Sequence, residues 1–216
     1  MGVLQDLNIV KGSDTLAGTI FEELFPSFML VDYTAPCEYV QIYWDAYLEI
    51  REQRLTIGQI SGVNGKIFEY ILATLLIREQ IYPIFMSAHV AFVPNVSYDI
   101  MLYSTDRGPI CLSAKTSFRE RYKQADLEAI ALKYVHRRSL SYLITLSEHD
   151  AQSVNEKQRL GSVIGLDSAV YALDKDFDTL IDSLKRYNFT DSPTIEVIVA
   201  NQIVTEETIN LVFPNG

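Results

Sequence analysis

Residues 111–128 read CLSAKTSFRERYKQADLE, and the place given to the lysine within them decides how the chain folds. Lys115 closes an apolar run that starts at Ile110, and Ser113 stands two residues before it. Residues two apart on a strand project from one face, so Ser113 and Lys115 share one. Just upstream, VSYDIMLYS (96–104) has a strand pattern, and TDRGP (105–109) between the two has turn chemistry. Together they predict a hairpin whose ends bring Asp99 beside Lys115. Downstream, Ser117 suits a helix N-cap with Glu120 in the capping-box position, and the helix extends to about Arg138. Glu128 falls about three turns into that helix and can pack back over the sheet.

Working outward, CEYVQIYWDAYLEIREQR (37–54) has apolar positions three and four apart and predicts a helix, with Tyr43 and Trp44 in its core. TIGQISGVNG (56–65) carries three glycines and reads as a break, after which Asn64 caps a strongly apolar helix, GKIFEYILATLLIREQ (65–80). IYPIFMSAHVAFV (81–93) is β-rich, SLSYLITLS (139–147) is a strand, and a helix is predicted near 176–187. TIEVIVAN (194–201) and TINLVF (208–213) read as a final strand pair. The order of helix, three strands, helix, strand and αβ additions predicts an α/β fold, a mixed sheet flanked by helices. All 216 residues are expected to form one domain, with its core at about 65–150.

The composition sets limits. With 48% hydrophobic residues, thirteen Tyr and ten Phe, the chain is a folded globular one. No stretch approaches 18 uninterrupted apolar residues, so no membrane span is expected. Cys37 and Cys111 are too few for a disulfide framework or a zinc site and suit reduced thiols in the cytoplasm. His89, His136 and His149 lack metal-ligand spacing, and no Gly-rich phosphate loop is present, so no nucleotide cofactor is expected. A net charge of −10 argues against a polyanionic partner. Its distribution argues otherwise: residues 115–138 hold seven Lys or Arg against three acids. A solvated basic helix face and a nucleic-acid face are both compatible with that cluster.

Two charges interrupt apolar patterns where an unpaired carboxylate is costly: Asp99 in its strand, and Glu69 among Ile67, Phe68, Ile71 and Leu72. Taken singly, each has an ordinary structural account, with Lys115 neutralising Asp99 and the glutamates at the surface. Taken together, convergent carboxylates beside a lysine can hold Mg2+ and position a water near a phosphodiester.

Asp99, Ser113-Ala114-Lys115 and then Glu128 resemble the PD-(D/E)XK nucleases in a migrated-carboxylate form. Ser113 there replaces the acid two before the lysine, and Glu128 supplies the missing carboxylate. The Arg119-Glu120-Arg121 triplet after the lysine is similar to that of the type II restriction endonucleases that recognise CC/GG-containing sites. Tyr98 stands where the motif name has proline. The resemblance implies a restriction-endonuclease-like fold, a Mg2+-dependent site and double-stranded DNA as substrate. It assigns Asp99, Lys115, Glu128, Glu69 and Ser113 to catalysis, with Asp99, Glu128 and Glu69 on the metal. Arg119, Glu120, Arg121 and Lys123 are the implied DNA-binding residues. Gln59 is a further candidate for the minor groove, with an ordinary polar loop residue as the alternative. A palindromic site implies a homodimer. Arginine suits bidentate bonds to guanine O6 and N7, and a glutamate accepts from cytosine N4, so the triplet also makes sense chemically. A structure-specific repair-type nuclease and a catalytically idle DNA-binding domain are the alternatives.

Overall fold

The computed structural model describes residues 2–11, 15–93, 95–117, 121–191 and 198–214, with the backbone alone at 198 and 199. The chain opens with α1 (Val3–Asp6), α2 (Leu16–Leu24) and a single 3-10 turn at Phe28–Leu30. Two long helices follow, α3 (Pro36–Arg54) and α4 (Ile57–Arg78). The expected hairpin is present: β1 (Ile84–Val90), β2 (Tyr98–Ser104) and β3 (Gly108–Lys115) are consecutive antiparallel neighbours. α5 (Arg121–Val135) then crosses over to β4 (Leu140–Thr145), which runs parallel to β3. α6 (Glu148–Arg159), β5 (Ser168–Tyr171) and α7 (Lys175–Leu184) extend the parallel part. Finally β6 (Ile198–Val199) and β7 (Gln202–Val204) both pair with the outer edge of β1, and α8 (Glu206–Val212) ends the described chain. The sheet order is β5-β4-β3-β2-β1, closed at that edge by β6 and β7. It is the mixed α/β sheet flanked by helices that the sequence predicts.

Alternation along the strands divides the core. Ile100, Leu102, Ile110, Leu112 and Ile144 pack toward α4, while Met101, Cys111 and Leu143 face the α5 and α6 side. α4 is the centre of the first layer, with Ile67 through Ile77 buried. By length and composition it could cross a bilayer, but 67% of its most apolar window is inside the fold, where it covers the sheet.

Four sequence expectations are corrected. The glycine-containing segment 56–65 is not a break, because α4 begins at Ile57 with Thr56 as its N-cap. Gly58, Gly62 and Gly65 lie where a side chain would meet open space, so they cost the helix only conformational entropy. The capping box and the burial of Val63, Ile67 and Phe68 outweigh that cost. Asn64 is therefore no cap; its Oδ1 accepts from the Tyr47 hydroxyl at 2.6 Å. Gln59 is not a loop residue either. Its side chain accepts from the Thr56 N–H at 3.0 Å as the N3 member of the capping box. TINLVF forms α8, not a strand, since Thr205 caps it by accepting from Thr208 N–H and two glutamates occupy its first turn. α6 (Glu148–Arg159) has Ser147 as its N-cap, whose side chain accepts from the Asp150 N–H. The strand expected at 194–201 lies partly outside the described residues and is present as β6 at Ile198–Val199.

One carboxylate fixes how α5 lies. Asp126 is 8% exposed, and its Oδ1 accepts from the N–H groups of Ile164 (3.1 Å), Gly165 (2.6 Å) and Leu166 (3.1 Å). Gly165 is pressed against α5 so closely that a Cβ would lie 2.3 Å from Asp126 O, which only glycine permits. Truncating Asp126 to Ala strands these donors. We expect Asp126→Ala to lower unfolding stability by at least about 2 kcal/mol, read from the urea midpoint at unchanged slope. A loss below about 0.5 kcal/mol, typical of a surface site, would contradict this account of α5.

Candidate active site

The site forms where the β2–β3 ladder ends. Paired residues run from Ser104↔Gly108 to Ile100↔Leu112. One step further, the Asp99 side chain replaces the backbone: its Oδ2 accepts from the Ala114 N–H at 3.0 Å and from Lys115 Nζ at 2.6 Å. The Lys115 and Asp99 side chains are 29% and 19% exposed, so this pair is partly desolvated. Across from Asp99 on β1, between the pairs Met86↔Ile100 and Ala88↔Tyr98, Ser87 takes a left-handed φ of 49°. A non-glycine residue in that region is strained, and such residues gather at functional sites.

A cavity of about 260 Å³ opens here, walled by Asp99, Ser113 and Lys115 from the strands and by Arg121, Gln124 and Glu128 from α5. Four of the five residues assigned to catalysis from sequence are thus brought together, with Arg121 of the basic triplet at the same opening. Arg119 and Glu120 lie outside the described residues. Lys123 is exposed on the first turns of α5. Gln59 is tied to the α4 cap.

Helix geometry explains why Glu128 reaches the cavity and Asp126 does not. Two residues on an α-helix are about 200° apart, so these two acids point in opposite directions. Glu128 is steadied twice. Its Oε1 accepts from Gln124 Nε2 at 2.7 Å, and its main-chain carbonyl accepts from the Tyr98 hydroxyl at 3.1 Å. Tyr98, in the position where the motif name has proline, therefore clamps α5 to β2 at the residue that supplies the carboxylate. Burial pushes the Glu128 carboxyl above its usual range; the Gln124 bond and the charge of Lys115 oppose this, while Asp99 adds to it.

Glu69 is placed differently. It is 7% exposed and does not line this cavity; it faces a neighbouring cleft, with Lys66 Nζ 2.6 Å from its Oε2. Burial raises its proton affinity, the negative charge of Asp99 raises it further, and Lys66 and Lys115 pull the other way. Glu69 and Asp99 therefore feel one another across the sheet. Lys66 and Gln124 went unread in the sequence, although each sits one helical turn from a candidate acid, at i+3 or i+4.

The donor set is all oxygen: two carboxylates and the Ser113 hydroxyl. Among the described residues no three His, Cys, Asp or Glu side chains are grouped so that they could hold a metal ion. An all-oxygen set with two carboxylates is unsuited to zinc and is of the kind that suits Mg2+, which is held by one or two carboxylates and completes its shell with water and phosphate oxygens.

No protein-family model matches the chain, and no curated protein matches it. Among solved structures it is similar to that of the restriction endonuclease PspGI in complex with substrate DNA, with a TM-score of 0.56 over 82% of this chain and 83% of that one. The two sequences are 15% identical over that match, and the shared feature is the fold, a restriction-endonuclease-like mixed sheet with flanking helices.

Proposed function

We propose that the chain is a Mg2+-dependent, sequence-specific endonuclease of restriction type that cleaves double-stranded DNA as a homodimer. The observation that carries this reading is the single cavity in which Asp99, Ser113, Lys115 and Glu128 converge. The resemblance to the migrated-carboxylate nucleases and the fold shared with a DNA-cutting restriction enzyme support it.

Asp99 and Glu128 would hold the metal, which supplies charge neutralisation at the phosphate and lowers the pKa of a bound water. Lys115, fixed by Asp99, presents its remaining N–H donors to the attacking water and to a phosphate oxygen. Ser113 shares its strand face and adds a hydroxyl to the cavity wall. Glu69, one layer deeper, contributes negative charge from behind Asp99. Water adds to phosphorus, the bond to the leaving strand oxygen breaks, and that oxygen gains a proton.

Recognition would come from the start of α5. Arg121 stands at the opening of the cavity, with Arg119 and Glu120 immediately before it in sequence, and their chemistry suits G·C pairs. The cleaved site is then a palindrome containing CC and GG doublets, and two-fold symmetry of the site implies two-fold symmetry of the enzyme.

Incubation with phage DNA and Mg2+ should yield discrete bands; a smear or structure-dependent cuts would favour a nuclease without base recognition, and intact DNA an idle binding domain. We expect Asp99→Ala and Lys115→Ala each to reduce cleavage by orders of magnitude, with circular dichroism showing a retained fold. A near wild-type rate in either would remove it from the site. Glu128→Ala should weaken the response in Mg2+ titrations of cleavage while leaving the urea midpoint close to wild type, the opposite balance from Asp126→Ala. Equal losses of stability in the two would undo the distinction.

Arg119→Ala and Arg121→Ala should each remove about 1–3 kcal/mol of discrimination between cognate and unrelated duplexes, with low-salt nonspecific binding retained. Sequencing of cut ends is decisive: ends without C/G doublets rule out this role for the triplet while leaving the nuclease assignment standing.

A further inference from the structure

Glu69 opens onto a second cleft, of about 150 Å³. Its walls include Lys11 after α1, Lys66 on α4, Ser87 on β1, and Asn201 and Gln202 at the turn between β6 and β7. Two lysines against one carboxylate make it locally positive in a chain of net charge −10. The Lys66 side chain is 49% exposed although it touches Glu69, so its ammonium stands at the boundary between the buried acid and solvent. An ammonium has three donors, and one bond to Glu69 leaves two for another acceptor. The side-chain amides of Asn201 and Gln202 add neutral donors, the kind that complete a phosphate site. The wall on the sheet side includes Ser87, whose left-handed backbone stands directly across from Asp99 of the first cavity.

We propose that this cleft seats a second phosphodiester of the bound DNA strand, flanking the one that is cut, with Lys66 bridging Glu69 and the phosphate and Lys11 at the rim. The inference rests on the nuclease reading and extends it. Lys66 is thereby a positioning residue: it sets the strand in register with the cavity of Asp99 and Lys115 by holding the neighbouring phosphate.

The test is duplex binding by fluorescence anisotropy in EDTA, where no cleavage occurs, over a series of salt concentrations. Wild type, Lys66→Met, Lys66→Arg and Lys11→Met are compared on a cognate and an unrelated duplex. Each lost phosphate contact should lower the slope of log affinity against log salt by about 0.9. We expect that loss for Lys66→Met and for Lys11→Met, with affinity falling by the same factor on both duplexes, and near wild-type slopes for Lys66→Arg. Lys11 is exposed, so its variant reports even where removing Lys66 upsets the fold. Wild-type slopes in both methionine variants, with a wild type that cuts DNA, overturn the second seat alone. A wild type that neither binds nor cuts duplex overturns the nuclease reading as well. Protection of the free protein by millimolar inorganic phosphate, lost in Lys66→Met without a change in DNA slope, would identify a free-anion site instead and overturn the strand seat.

Discussion

The carboxylate of Asp99 is the constraint on which the rest of the site depends. Where the ladder between β2 and β3 stops, an ordinary hairpin would leave the Ala114 N–H to water. Here Asp99 Oδ2 takes it, together with the Lys115 ammonium. One oxygen thus ends the strand pairing, orients the lysine and places negative charge at the mouth of the cavity. The charge is tolerable because both of its partners are donors fixed by the same hairpin. The register also carries the effect outward: Lys115 is level with Thr145 on parallel β4, so the site lies at the carboxyl ends of the parallel strands. In open α/β sheets that is where ligands bind, because the loops and helix starts there are free to vary.

α5 joins the chemistry of the site to its edge. It carries Arg121 at the opening and Glu128 about 10 Å further along its axis, so a displacement of one is felt by the other. Three contacts make that rigid coupling. Asp126 ties one face to the 164–166 segment, Gly165 allows the backbones to touch, and Tyr98 ties the Glu128 carbonyl to the strand that bears Asp99. Acids two residues apart on one helix have divided the work, one structural and one facing the cavity, because the helical period leaves them no shared side.

Much of this was legible in the sequence because the informative residues are local. Strand alternation and the turn at 105–109 depend on neighbours a few residues apart, and Asp99, Ser113, Lys115 and Glu128 lie on elements that follow one another directly in the chain. What escaped depended on distant packing. The glycines of 58–65 suggested a break, yet the helix is held by burial against α3 and the sheet, which outweighs a propensity cost of about 1 kcal/mol per glycine. TINLVF has a strand-like apolar pattern, but the Thr205 cap and the acids after it favour a helix. The odd burial of Glu69 was visible; its partner Lys66, and the cleft they share, required the fold to bring α1, α4 and the β6–β7 turn together.

On the proposed nuclease reading, local electrostatics reconcile an acidic chain with a polyanionic substrate. Net charge acts over a Debye length of about 8–10 Å at physiological ionic strength, so a phosphate at the site responds to its immediate surroundings and not to the far surface. Those surroundings are two lysine–carboxylate pairs, Lys115 with Asp99 and Lys66 with Glu69, each at 2.6 Å, with Arg121 and Glu128 lining the cavity of the first. Each pair is near neutral as it stands and can still act: the lysines keep donors for phosphate oxygens, and the carboxylates keep lone pairs for a cation. On the proposed nuclease reading, a strand between them would meet lysine donors, and the carboxylates would hold the cation.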